Sequence, residues 1–432
     1  MRGTRAIFYV RNRSLRLSLQ CSSLALLLFA ALWPAPSSAK NSQLSNGPIV
    51  VLLSLDGFRS DYLEKYPDQG KNLKRLADSG AAAAGLVPGF PSSTFPNHYS
   101  LATGLYPGRH GILGNGFYDR DRDARYRLGD RSAVEDGSWY RGEPLWNAVE
   151  KAGMVAASFF WVGSEADIQG MRPSYYKIYD GSVPNQDRVD QVLEWLRLPP
   201  EQRPSLVTMY FSTVDSVGHR FGPDTEQLAR AIASVDAQVG NLMEGLADID
   251  LPIYLIVVSD HGMQQVDLSA QVFLSDYLDL SQWRGQNRII LGGAYGFFYS
   301  DNQSLLDQSA AKLSGIDGST VLQPSQFPAQ IRFPAQGPRV PDLVIIVDAP
   351  GYISLKPGGR RPPRGAHGYL PQTTATMQGI FYAAGPGIAP GTRVPAIDNV
   401  HVYPWVLDLL GLRPSRQIDG DLAVLKRYLD QQ

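Results

Sequence analysis

Several stretches of the chain are apolar almost without interruption and rich in β-branched residues: Ile49–Leu55, 154–161, Leu206–Phe211, Ile253–Val258, Leu343–Val347 and 379–383. Each ends abruptly in polar residues or glycine. A strand with one wet face alternates apolar and polar positions, whereas a strand covered on both faces does not. These runs therefore predict buried strands. Between them lie stripes at helical spacing: Val189, Val192, Leu193 and Leu196, then Leu228, Ile232, Val235, Val239, Leu242 and Leu246, the second behind a cap formed by Asp224 and Gln227. Alternating strand and helix predict an α/β fold with a mostly parallel central sheet and helices on both faces. Ligands of such sheets bind beyond the carboxyl ends of the strands. Residues 264–364, with many Pro, Gly and Gln, read as less regular, a lid or surface insertion in a single domain spanning 40–432.

The amino terminus has a different pattern. Arg2, Arg5, Arg11, Arg13 and Arg16 precede an apolar run from Leu24 to Trp33, then small residues ending in Ala39. Basic, then apolar, then small is the order of a secretory signal peptide, and the run is about half the roughly 20 residues a membrane span needs. We expect cleavage after Ala39, with no stable span afterwards. The single cysteine, Cys21, lies in that leader, so the mature chain has no disulfide framework. A large exported protein without disulfides points to a bacterial periplasm. Removing the leader leaves 35 basic against 41 acidic residues, a formal charge of −6, which disfavours a generic nucleic-acid surface. An anionic substrate would need some other attraction, and bound metal would supply it. The oligomeric state is not encoded in these features.

Candidate chemistry gathers at strand ends. Asp56, Asp215 and Asp260 each follow a predicted strand. A lone aspartate there is more often a turn or cap residue than a ligand; three at one edge shift the balance. His219 lies four residues after Asp215, His261 adjoins Asp260, and His367 sits in the glycine-rich loop Gly365-Ala366-His367-Gly368. Mixed imidazole and carboxylate donors favour zinc over magnesium or calcium, with manganese and iron left open. His98, His110 and His401 read as structural. Thr94, in Pro91-Ser92-Ser93-Thr94-Phe95-Pro96, stands at a predicted helix start, where free amides favour an anion. The plainer alternative is that Ser93 or Thr94 caps that helix.

Taken together, Leu55-Asp56-Gly57-Phe58-Arg59, Thr94-Phe95-Pro96-Asn97-His98-Tyr99, Thr103-Gly104-Leu105-Tyr106-Pro107, Gly111-Ile112-Leu113-Gly114-Asn115, Asp215-Ser216-Val217-Gly218-His219, Ser259-Asp260-His261-Gly262-Met263 and His367-Gly368-Tyr369 resemble the nucleotide pyrophosphatase/phosphodiesterase family of the alkaline phosphatase superfamily, in a single-domain bacterial form. The resemblance implies an alkaline-phosphatase-like fold and two zinc ions. Asp215, His219 and His367 would hold one, and Asp56, Asp260, His261 and the Thr94 oxygen the other. It also implies Thr94 as the nucleophile of a covalent intermediate, Asn115 as a donor to a phosphoryl oxygen, and Phe95 with Tyr176 as a nucleobase clamp, with Trp161 nearby. Nucleoside monophosphate would be released from small-molecule phosphodiester or pyrophosphate substrates. Gly108-Arg109 departs from the family's common Glu-Ser but lies outside the metal set. A phospholipid- or phosphonate-directed hydrolase of the same superfamily is the alternative reading. The nucleophile signature of type I sulfatases does not occur around Thr94, and a binding protein without turnover has no use for a threonine beside a full ligand set.

Overall fold

Seven successive buried residues, Ile49–Leu55, form strand β1, and alternate members point into separate cores. Val50 and Leu52 join one apolar cluster, while Ile49, Val51, Leu53 and Leu55 join another. That division explains why the run is apolar throughout: both faces of the strand are covered. The computed structural model describes residues 47–359 and 361–429. The leader 1–39 lies outside the described residues.

Around β1 the central sheet comprises β2 (Ala81–Ala83), β3 (Ala156–Phe159), β4 (Tyr175–Lys177), β5 (Leu206–Phe211), β6 (Ile253–Val258), β7 (Phe381–Ala384) and β8 (Thr392–Val394), in the order β8-β2-β7-β6-β1-β5-β3-β4. The run from β6 to β4 is parallel, and β7 is antiparallel to both its neighbours. One face carries helices α1 (Lys71–Ser79), α3 (Asn185–Leu196) and α5 (Glu226–Ala247), whose apolar stripes belong to one cluster. The other face carries α2 (Thr94–Thr103) and the helix Val402–Leu409. Helix α5 starts one residue away from the expected cap. Thr225 accepts from the Leu228 amide, and Asp224 instead pairs with Lys65.

Leu343–Val347 is not a strand of the parallel sheet. It pairs antiparallel with Tyr295–Tyr299 and Ser319–Leu322, and Arg288–Leu291 completes a four-stranded sheet inside 264–364. Its continuous hydrophobicity comes from being the inner strand of this second sheet, against a core that includes Leu305, Leu306 and Phe298. The segment is thus more regular than its Pro and Gly content suggested. Buried Arg339 donates to Asp119 at 2.7 Å and to the carbonyls of Gly111 and Trp139, while Tyr295 and Phe297 pack into the main core. These ties join the segment to the main core.

Candidate active site

The neighbours β5, β1 and β6 bring three carboxylates to one edge. Asp56 directly follows β1, Asp260 lies two residues beyond β6, and Asp215 occupies the first turn of α4 (Thr213–Phe221), which begins after β5. Asp215 and His219 sit on one face of that helix, four residues apart, which points both at the same spot. Gly57 makes the approach possible. Its φ is +66°, and a Cβ there would lie 3.0 Å from Asp215 Cα and Cβ.

Each predicted histidine ligand is oriented by its backbone partner. The Nδ1–H of His261 donates to the Gly262 carbonyl at 2.8 Å, that of His219 to Gly365 at 2.8 Å, and that of His367 to Ser92 at 3.0 Å. These bonds fix the tautomer and leave the three Nε2 atoms bare, as metal ligation requires. His261 Nε2 lies 3.4 Å from Asp56 Oδ1 and 3.2 Å from Asp260 Oδ2, whereas His219 and His367 Nε2 lie 3.4 and 3.8 Å from Asp215 Oδ1. The His261 and His367 rings stack at 3.8 Å, so the two groups adjoin.

Those same carboxylate oxygens, Asp56 Oδ1, Asp215 Oδ1 and Asp260 Oδ2, are buried without a hydrogen-bond donor. Burial pushes all three carboxyls up, aided at Asp56 by Asp260 and Asp215 and at Asp260 by Asp215. Burial also pushes the His261 imidazole down to about 3 and His367 well below its usual range. The protein alone therefore opposes the carboxylate charge and keeps these two imidazoles neutral. Orphaned buried oxygens and neutral imidazoles fit divalent cations, which would satisfy both. The side-chain set of three oxygen and three nitrogen donors suits zinc.

Thr94 opens α2, and its Oγ1 lies 3.3 Å from His261 Nε2. Neither half of the capping alternative holds: Ser93 is the N-cap residue but makes no side-chain cap bond, and Thr94 lies inside the helix. Asn97 holds the preceding turn through bonds from its amide to the carbonyls of Pro91 and Ser93. Asn115 Oδ1 accepts from the Phe95 amide at 2.9 Å. That contact commits the side-chain carbonyl, and the amide nitrogen is left for the cavity that Asn115 lines.

This cavity, of ≈ 270 Å³, is bounded by four of the six candidate ligands, Asp56, Asp215, His219 and His367, and by Thr94, Phe95, Trp161 and Tyr179. Trp161 is fully buried, its indole N–H donating to the His98 carbonyl. Tyr176 does not line the cavity; it is half exposed beneath the Arg172 guanidinium. Tyr179 lines the cavity instead. The physical reason is that Tyr176 is still within the edge strand β4, and the chain reaches the cavity mouth only after that strand ends, where Glu165 accepts from the Tyr179 amide.

Two further side chains support the cluster: Tyr210, which the sequence reading did not single out, and His98, which it read as structural. Tyr210, on β5, donates to Asp56 Oδ2 at 2.6 Å. His98 donates from Nδ1 to the Thr94 carbonyl at 2.9 Å, with Asp260 Oδ2 at 3.2 Å, and its Nε2 accepts from Ser54. It supports the cluster, although both its nitrogens are engaged. His110 and His401 are structural: the first accepts from Ile112 and donates to Pro96, and the second accepts from Asp421.

Comparison with known proteins agrees with this geometry. The family model described as type I phosphodiesterase / nucleotide pyrophosphatase matches residues 50–370. Human ectonucleotide pyrophosphatase/phosphodiesterase family member 1 is 34% identical over 383 residues, covering 85% of this chain and 40% of its own. The venom phosphodiesterase of Macrovipera lebetinus is 33% identical over 382 residues, covering 85% of this chain and 43% of its own. The chain therefore spans less than half the length of these curated relatives. Murine ectonucleotide pyrophosphatase/phosphodiesterase 5 superposes with a TM-score of 0.82 at 27% identity, covering 88% of this chain and 100% of that one, and its inactive variant is described in complex with AMP.

Proposed function

The chain belongs to the type I phosphodiesterase / nucleotide pyrophosphatase family, and from that premise we propose that it hydrolyses nucleotide phosphodiester and pyrophosphate bonds, releasing nucleoside monophosphate through a covalent intermediate on Thr94. The observation that carries this reading is the position of Thr94 Oγ1, at a helix start and against a cluster of orphaned carboxylate oxygens. A structural metal site has no use for a hydroxyl so placed.

Asp215, His219 and His367 would hold one zinc ion, and Asp56, Asp260 and His261 another, with Thr94 beside the second. Bound there, the ions would lower the pKa of a coordinated hydroxyl and neutralise charge on attacking and leaving oxygens. Two divalent cations against three carboxylates leave one positive charge, which matches a singly charged diester better than a monoester.

Thr94 Oγ attacks phosphorus, the bond to the leaving group breaks, and a phosphothreonine diester remains. Water then cleaves the new bond and restores the hydroxyl. Asn115 holds a non-bridging oxygen through its amide nitrogen, a position in which a donor acts on charge that develops in the transition state. Phe95 and Tyr179 sandwich the base, with Trp161 as a rigid wall. Two displacements each invert phosphorus, so a chiral thiophosphate substrate should give overall retention; inversion would rule out the threonyl intermediate.

Export follows from the leader 1–39, with a bacterial periplasm as the destination. Among the described residues no helix is long and apolar enough to cross a membrane. A mature protein beginning near Lys40 is the expected result of N-terminal sequencing, and Met1 retained in a membrane fraction would contradict it.

A further inference from the structure

The candidate ligands come from chain segments far apart in sequence, and two serine hydroxyls bridge those segments. Both serines, Ser92 and Ser259, are fully buried. Ser259 Oγ accepts from the Phe58 amide at 2.9 Å and donates to the His261 carbonyl at 2.7 Å. It joins the turn after β1, which carries Asp56, to the turn after β6, which carries Asp260 and His261. Ser92 Oγ accepts from the Gly368 amide at 3.1 Å and donates to the Tyr369 carbonyl at 2.7 Å. It joins the turn before Thr94 to the loop that carries His367. The amides held this way lie 201 and 276 positions from their serines, so neither bridge is a local turn bond.

The two bridges share one chemistry. A hydroxyl can accept and donate at once, so a single small side chain satisfies an amide and a carbonyl of another segment. Alanine in its place would leave both backbone groups buried without that partner. The groups held are those that aim the ligands. Ser259 grips the backbone of His261 itself. Ser92 grips the residues just after His367, while its own carbonyl accepts the ring Nδ1–H; on the other side of the loop, the Arg364 amide donates to the His219 carbonyl at 2.8 Å. His367 is therefore pinned between helix α4 and the nucleophile turn. Neither serine lines the cavity, so neither is placed to touch substrate.

We propose that Ser92 and Ser259 are positioning residues, each assembling one of the two metal sites: Ser259 the Asp56–Asp260–His261 site, and Ser92 the site completed by His367. Ser92 has a second consequence. Because it lies two residues before Thr94, the site completed by His367 and the nucleophile turn share one bridge. The assignment rests on the metal sites proposed above, and its effects are confined to one site per serine.

The test reads zinc affinity by competition with a calibrated chelator, one site at a time. His219→Ala disables one site and leaves the other; His261→Ala does the reverse. In the His219→Ala background, Ser259→Ala should weaken the remaining zinc about 10- to 100-fold and Ser92→Ala should leave it within about twofold. In the His261→Ala background the ranking should reverse. Ser92→Thr and Ser259→Thr, which keep the hydroxyl, should bind zinc as their parents do. Each serine decides its own site, so a failure of one variant to fold leaves the other decisive. Equal weakening at both sites, unchanged affinity at both, or a fall in melting temperature of the same size with and without zinc overturns the proposal and makes the serines ordinary core residues. A wild type that binds fewer than two zinc ions instead refutes the metal assignment itself.

Discussion

Replacing Tyr210 by phenylalanine removes one oxygen atom and should loosen metal binding without unfolding the protein. The phenol is buried on β5 and donates to Asp56 Oδ2 at 2.6 Å. Burial and the neighbouring Asp56 push its pKa well up, so it remains a donor throughout the working range. The bond occupies one carboxylate oxygen and turns the other, Oδ1, towards His261 Nε2. A hydrogen bond to a charged group contributes about 1.5–3 kcal/mol, and partners of this kind typically alter metal affinity about 10- to 100-fold. Tyr210→Phe should therefore weaken zinc binding by one to two orders of magnitude, measured by competition with a calibrated chelator, while circular dichroism shows an unchanged fold. Turnover should recover when zinc is raised in proportion. An affinity within about twofold of wild type would refute the argument that this phenol orients Asp56.

Other substitutions probe separate parts of the site. Asn115→Ala should lower kcat by about 10²- to 10³-fold with little change in KM, because its amide acts on developing charge; a normal kcat would remove it from that role. Tyr179→Ala should raise KM for nucleotide substrates several-fold and Tyr176→Ala should not; the opposite ranking in initial-rate assays would restore Tyr176 to the base clamp. His110 tests acid stability. Burial pushes its pKa from 6.5 down to about 3, so between those values the unfolded chain binds a proton that the folded protein refuses. Stability supplied by the neutral ring is complete above pH 6.5 and declines by about 1.4 kcal/mol per pH unit below it, towards pH 3. In His110→Asn, urea unfolding across that range should show a slope smaller by about one proton; an unchanged slope would contradict the assignment.

The central sheet was legible because burial on both faces leaves a run such as Ile49–Leu55 with no polar position. The same signal misled at Leu343–Val347, since an inner antiparallel strand with two covered faces looks identical to a parallel one in sequence. Asp56, Asp215 and Asp260, with His219 and His261, could be expected at one edge because strand ends and short spacings place them there, whereas His367 lies in a separate loop that only the family resemblance tied to them. The supporting contacts of Tyr210 and His98 were not legible. Their roles depend on contacts with Asp56 and Ser54, each more than 40 residues away in the chain, which no local pattern carries. Tyr176 and Tyr179 differ by where an edge strand stops, a boundary that composition around Tyr175-Tyr176-Lys177 does not mark.

The most direct test of the account is zinc content per chain together with turnover of a nitrophenyl nucleotide diester and of nitrophenyl phosphate, in purified wild type and Thr94→Ala. The wild type should hold two zinc ions and turn over the diester far faster than the monoester, and the variant should lose the diester activity while its metal cluster persists. Full diester turnover by Thr94→Ala, or a wild-type preference for the monoester, would contradict it.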